Sequence, residues 1–260
     1  MRRFFIMTEK YTEQTVLRII RHTEKLLTFV ISRPDNFRFS AGQFARLGLR
    51  KGDNTIWRAY SVLSPEYDDE LHFMAVLIPN GQMSLCLEQM RAGDKILLDN
   101  NATGFLLPQR FVGGKDLILL STGSGIAPFL SHIRQPEIMQ RFERIVLTHC
   151  VRYADELIFS ELISDLSQHP LVGEYAQRLI YIPVTTRDTN NEYLHSRLPE
   201  SLLNGSLQKI ADFNFNKNDS RFMICGNPAM VDDTYSALKS LGFAMHRNKM
   251  PGEIIMENGF

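Results

Sequence analysis

Cysteine is scarce in this 260-residue chain, and Trp57 is its only tryptophan. Cys86, Cys150 and Cys225 are widely spaced and form no Cys-x-x-Cys pair. That scarcity argues against a disulfide framework, a zinc knuckle or an intrinsic iron–sulfur cluster, and predicts no bound metal. The thiols read as reduced, as in a cytoplasmic protein. No apolar run reaches the roughly 18 residues of a membrane span, so no membrane association is expected. Charge of one sign is also lacking: 29 basic and 29 acidic side chains leave a net charge of zero. A general nucleic-acid-binding surface is therefore not expected. The opening stretch, Met1–Gln14, has two arginines and a short apolar patch. It has neither the long apolar core nor the small-residue cleavage site of a signal peptide.

What is present divides into two rhythms. From Thr15 to about Asp99, short alternating or β-branched runs are broken by turns at Pro34-Asp35-Asn36, Lys51-Gly52-Asp53-Asn54, Pro65-Glu66 and Pro79-Asn80-Gly81. Strands so closely punctuated predict an antiparallel barrel or sandwich. Gly81–Met90 interrupts them as a short helix. After Phe111–Lys115, apolar runs at Asp116–Leu120, Arg144–Thr148, 179–186 and 221–225 alternate with helical spacing, including one long helical stretch over 155–166. That alternation predicts a parallel sheet with helices on both faces. The expected domains are residues 1–112 and 113–260.

Ser121-Thr122-Gly123-Ser124-Gly125-Ile126-Ala127-Pro128 follows a buried strand and opens a helix. Its glycines would let backbone approach a pyrophosphate, and free N–H groups would face it. Pro128 stands where the standard dinucleotide fingerprint has a third glycine, a place in the first helical turn that proline tolerates. By itself the loop is equally an ordinary tight turn. Arg152, Arg187 and Arg197 lie at or beyond the tips of the following strands. Their planar forks suit a phosphate, whereas an NAD site would use an acidic residue about 20 positions after the glycines. In the first half, Arg58, Tyr60 and Ser61 on one strand offer a cation for phosphate, a ring to stack on a flavin and a hydroxyl for its polar edge. Gly81-Gln82-Met83-Ser84 opens the only helix of that half.

The ordered set Phe39-x-x-Gly42-Gln43-Phe44, Arg58-Ala59-Tyr60-Ser61, Gly81-x-x-Ser84, Thr122-Gly123-x-Gly125-x-x-Pro128 and Cys225-Gly226-Asn227-Pro228 resembles the ferredoxin–NADP reductase superfamily. The ending, Pro251-Gly252-Glu253 to Phe260, resembles its bacterial ferredoxin/flavodoxin branch. The likeness runs over residues 15–260. It implies a six-stranded antiparallel FAD barrel followed by an α/β domain with a five-stranded parallel sheet for NADP(H). The implied activity is electron transfer between NADPH and ferredoxin or flavodoxin, through transient, electrostatically guided contact by a monomer. A reductase component of an oxygenase and a non-catalytic flavin-binding regulatory subunit are the alternatives.

Carried onto this sequence, the resemblance gives Arg58, Ala59, Tyr60, Ser61, Met74, Gln82, Met83, Ser84 and Thr122 to FAD, and Phe260 to its adenine. It gives Gly123, Gly125, Val151, Arg152, Thr186, Arg187, Arg197, Gly226, Asn227 and Asp233 to NADP. Ser61, Cys225 and Glu257 would surround the reacting rings, Cys225 as a packing group and Glu257 for proton supply or positioning. Arg46, Arg50, Lys51, Arg247 and Lys249 are candidates for a positive patch that steers an acidic carrier.

Overall fold

The computed structural model describes residues 10–188 and 192–259. Six strands form the first sheet: β1 (Tyr11–Arg21), β2 (Leu26–Ser32), β3 (Phe44–Lys51), β4 (Asn54–Ser61), β5 (Glu70–Val76) and β6 (Lys95–Asp99). Their order is β4-β3-β6-β1-β2-β5, all antiparallel. The sheet curls until its edge strands meet, where Leu63 N–H, just past β4, donates to the His72 carbonyl of β5 at 2.9 Å. Lys51 pairs with Asn54 across a two-residue turn with Gly52 at φ +58°, the first central position that a type II′ hairpin turn reserves for glycine. Alternation drives Leu27, Phe29, Ile31, Leu47, Phe73 and Leu98 into one core. Helix α1 (Gln82–Gln89) lies against β3 and β4 and adds Met83 and Leu87 to that core.

The second sheet is parallel, ordered β11-β10-β7-β8-β9, from β7 (Asp116–Thr122), β8 (Arg144–Val151), β9 (Leu179–Thr185), β10 (Ser220–Gly226) and β11 (Ile254–Asn258). Its central strands are buried almost throughout and mostly apolar, because both faces are covered. One face packs on α2 (Ala127–His132), α3 (Pro136–Arg141) and α4 (Ser160–Ser164); the other packs on α5 (Leu198–Leu203), α6 (Ser206–Ala211) and α7 (Pro228–Ser240). The long helix expected over 155–166 is broken into 3₁₀ turns at Ala154–Glu156 and Asp165–Gln168 around α4. Ser160 and Ser164 explain the break, since each hydroxyl donates to a local carbonyl, of Leu157 and Glu161, in competition with the regular helical pattern. The fifth strand is the tail itself, with Cys225 beside Glu257 in register.

The two sheets share a core in which Leu26, Leu63, Met74, Leu106 and Phe111 from the first half join Phe129, Leu130 and Ile133 of the α2 region. Polar links cross the same seam. Ser131 Oγ donates to the Ser64 carbonyl at 2.7 Å, and the Arg134 guanidinium donates to the Leu63 carbonyl. His132 Nε2 is shared between the carbonyls of Ala41 and Leu106, at 3.1 and 3.0 Å. Burial lowers the pKa of His132 to about 4, so the ring is neutral and that single N–H does the bonding.

Gly42 makes this approach possible. Its φ is +97°, and a Cβ there would sit 1.9 Å from the Leu106 oxygen and 2.4 Å from His132 Nε2. Gly42→Ala is therefore expected to cost about 3 kcal/mol or more, from left-handed strain and overpacking together. Urea unfolding of the two proteins measures it.

Candidate functional site

The site lies where the C-terminal ends of β7 and β10 face the barrel. Among the described residues strand β4 pairs only with β3, and its other edge faces β5 without a ladder. Along it, Arg58 is exposed; its guanidinium donates to the Trp57 carbonyl at 2.7 Å and has no carboxylate partner among the described residues. Tyr60 is half-buried with its ring edge-on to Phe29, and burial raises the pKa of its hydroxyl. Ser61 is half-buried and Ala59 precedes the pair on the same strand. Met74 on the facing strand β5 is buried, its side chain turned into the shared core. Gln82 is exposed at the start of α1, Met83 belongs to the barrel core, and Ser84 Oγ accepts from Ile78 N–H at 2.8 Å, closing the turn that precedes the helix.

The glycine loop is tightly built. After β7, Gly123–Ile126 form a 3₁₀ turn that runs into α2, with Pro128 in the first helical turn. Gly125 abuts β10: a Cβ there would lie 2.2 Å from the Cys225 oxygen. Gly226, at φ +145°, would place a Cβ 2.2 Å from Thr122 Oγ1. That hydroxyl accepts from Asn227 N–H at 3.1 Å, while the Asn227 side chain caps α7 by accepting from Ala229 N–H. Gly123 differs, with φ +51° and nothing within 4 Å of an added Cβ. Its outer side is open space.

Glu257 joins the two halves. Its Oε1 accepts from Phe105 N–H, in the segment leaving the barrel, at 3.3 Å. Burial pushes the carboxyl up to about 7, only partly opposed by that hydrogen bond. Cys225, its register partner, is buried among apolar side chains and its thiol is pushed up to about 12, by burial first and by Glu257 second. Phe260 lies outside the described residues.

At the far end of the sheet, the loops after β8 and β9 are bonded to each other. Thr186 N–H donates to the buried Val151 carbonyl at 3.0 Å, and Arg187 N–H donates to the Arg152 carbonyl at 2.9 Å. Arg152, Arg187 and Arg197 are exposed, and no carboxylate pairs with any of them among the described residues. Arg197 and Asp233 line one groove of about 430 Å³ between α5 and α7. The geometry thus brings Arg152 and Arg187 side by side, and puts Arg197 with Asp233. Sequence reasoning missed the part played by Phe105, whose contribution is a backbone N–H and leaves no trace in residue type.

A model of oxidoreductase FAD-binding domains matches residues 14–102, and one of oxidoreductase NAD-binding domains matches residues 119–236. A ferredoxin–NADP reductase of Pseudomonas aeruginosa is 35% identical over 258 residues, 98% of this chain and 99% of that protein. The chain belongs to the ferredoxin–NADP reductase family. A flavodoxin/ferredoxin–NADP reductase of Rhodobacter capsulatus is 34% identical, over 95% of this chain and 92% of its own. The crystal structure of a ferredoxin NADP+ reductase from Neisseria gonorrhoeae, with bound FAD and NADP, superposes with a TM-score of 0.91 at 52% identity. That match covers 97% of this chain and 100% of the other. The two-domain architecture, a curled antiparallel sheet followed by a five-stranded parallel one, is that of the reductase family.

The thiols of this reductase differ in their surroundings. Cys150 and Cys225 are buried and both are pushed up to about 12, first of all by burial, whereas Cys86 is only half-buried. An alkylating reagent near neutral pH is expected to label native protein at Cys86 alone, and all three thiols in urea. Peptide mapping of the labelled chain checks this, and Cys86→Ser should abolish the native labelling.

Proposed function

We propose that the protein is an FAD-dependent reductase that moves electrons between NADPH and a one-electron carrier, ferredoxin or flavodoxin. One observation carries this reading: a buried carboxyl from the parallel sheet, Glu257, accepts from Phe105 N–H and so reaches the barrel near the end of the strand that bears Arg58, Tyr60 and Ser61. The fit to FAD is supported by Arg58, an exposed guanidinium without a carboxylate partner among the described residues, and by a tyrosine ring and a serine hydroxyl on the same strand. The fit to NADP is supported by the open space over Gly123 and by the exposed arginines of two bonded loops, which have no carboxylate partner among the described residues. When bound, FAD supplies a centre that takes two electrons with a hydride and releases them one at a time.

The chain's share of the work is positioning, exclusion of water and custody of one proton. Arg58 would neutralise the flavin pyrophosphate, with Gln82 and the backbone of Met83 and Ser84 beside it. Tyr60 would stack on the flavin ring, and Ser61 would bond its polar edge. Cys225, buried and un-ionised at neutral pH, offers a small polarisable surface for a ring and no nucleophile. Glu257 Oε1 is engaged with Phe105 N–H, so Oε2 is the atom that carries the proton. Arg152, Thr186 and Arg187 would hold the 2′-phosphate, and Arg197 with Asp233 the adenosine end.

A carrier would dock beside Glu257. Arg110 stacks over the Phe105 ring and donates to Asn248 Oδ1 at 2.9 Å, which sets the exposed Arg247 and Lys249 next to the same entrance. Arg46 and Arg50 face carboxylates, Asp99 at 3.9 Å and Glu13 at 3.6 Å, so Arg247 and Lys249 are the better-placed cations for an acidic partner. Transient contact, a monomeric state, a cytoplasmic location and a domain boundary at 112/113 complete the reading. Among the described residues, no helix is long and apolar enough to cross a membrane.

The test is spectroscopic. The purified protein should take up FAD, turn yellow, and bleach faster with NADPH than with NADH; a colourless protein that takes up no FAD refutes the reading. Arg187→Ala should lower the NADPH/NADH ratio of kcat/KM about tenfold, the size of one charge-assisted contact. Because the Glu257 carboxyl is protonated below about 7 and ionised above, turnover should fall as pH rises through that value. In Glu257→Gln that inflection should vanish from the pH–rate profile.

A further inference from the structure

His149 is fully buried on β8, between Ser121 of β7 and Pro183 of β9 in register, and the reaction outlined above does not use it. Its Nε2 lies 3.2 Å from the Gly123 carbonyl. A carbonyl only accepts, so the ring proton sits on Nε2. Burial lowers the pKa of His149 to about 4, which keeps the ring neutral. Nδ1 is buried with no partner among the described residues. An aromatic hydrocarbon would fill this space without stranding an acceptor, so packing alone does not account for histidine here.

The bond has a geometric consequence. The Gly123–Ser124 peptide is trans, so its C=O and N–H point in opposite directions. The buried imidazole holds the carbonyl on the inner side of the loop, which turns the Ser124 N–H away from the interior. Ser124 lies in the first turn of the 3₁₀ segment, where an amide has no partner within the turn. Thr122, just before Gly123, is fixed from the opposite neighbour in the sheet, by the Asn227 N–H bond to its Oγ1. The loop of the central strand is thus tied to β8 on one side and to the turn after β10 on the other. Only Gly123, at φ +51° with open space beside it, allows this arrangement without a side chain over the amide.

We propose that His149 is a positioning residue for nucleotide binding: by holding the Gly123 carbonyl it aims the Ser124 N–H at the pyrophosphate of the dinucleotide. This rests on the reading that the glycine loop receives the NADP pyrophosphate. His149 itself touches neither the cofactor nor the reacting atoms.

The experiment compares the FAD-loaded wild-type enzyme with His149→Phe, which keeps the bulk without the donor, and His149→Gln, which keeps a donor. Two probes are titrated: NADP+ and 2′-AMP, which carries the 2′-phosphate but no pyrophosphate. His149→Phe should weaken NADP+ about fivefold, the size of one buried hydrogen bond, and leave 2′-AMP affinity unchanged. The glutamine variant should return within about twofold of wild type. In steady state the KM for NADPH should rise while kcat changes by less than about twofold. If the phenylalanine variant does not fold, His149→Asn, too short to reach Gly123, should show the same selective loss. Wild-type NADP+ affinity in the donor-less variants overturns the proposal, as does equal weakening of both probes. Gly123→Ala separates the underlying reading: unchanged NADP+ affinity there removes the loop from the pyrophosphate site, whereas weakened binding there with intact binding in His149→Phe defeats the role of His149 alone.

Discussion

The seam between the two sheets depends on three neighbouring side chains at and just beyond the end of α2. Ser131, His132 and Arg134 are buried donors, and all of them bond carbonyls of barrel loops at Ala41, Leu63, Ser64 and Leu106. Those carbonyls lie outside the β-ladder and are covered by the second domain, so each would otherwise be a desolvated acceptor. The donors and acceptors come from different domains, and satisfying them fixes one domain against the other. Tyr67 extends the link by donating to the Arg134 carbonyl. A hydride-transfer site assembled from both domains, as proposed, would need such fixity, because ring alignment tolerates little error.

That requirement explains glycines that a local reading leaves open. Gly42 brings the barrel loop against His132, and Gly125 and Gly226 bring the nucleotide loop against the ends of β7 and β10. Each is a close approach of backbone to backbone or to a fixed side chain. Beside these three, Gly123 in the same loop as Gly125 faces open space. The packing of these loops is therefore shaped by where the chain has no side chain as much as by where it has one.

Much of this was legible in the sequence, for identifiable reasons. The barrel strands announce themselves through alternation and turn residues, and the parallel strands through unbroken apolar runs such as Asp116–Leu120. Arg152 and Arg187 could be placed together because parallel strands end on one edge. Other features were not legible. β11 is a five-residue tail whose partner, β10, lies some distance back in the chain, and a parallel pairing leaves no local signature. The break in the helix around α4 arises from serine hydroxyls competing for carbonyls, which apolar spacing does not register. His149 looks like any histidine in an apolar strand, and Phe105 acts through its backbone. Such contributions come from where tertiary structure sets an atom, and residue type is silent about them.

The paired loops beyond β8 and β9 carry a consequence for how the protein can change. Thr186 and Arg187 are bonded through their backbones to Val151 and Arg152, so the chain at 186–187 is tied to the chain at 151–152. An insertion or a bend in either would displace both arginines at once. If these two arginines hold the 2′-phosphate as proposed, drift in dinucleotide preference is channelled: exchanges of side chain on an unchanged backbone are open to it, whereas remodelling of one loop is not. Substitutions at positions 152 and 187 should accordingly be epistatic, the effect of each depending on the residue at the other.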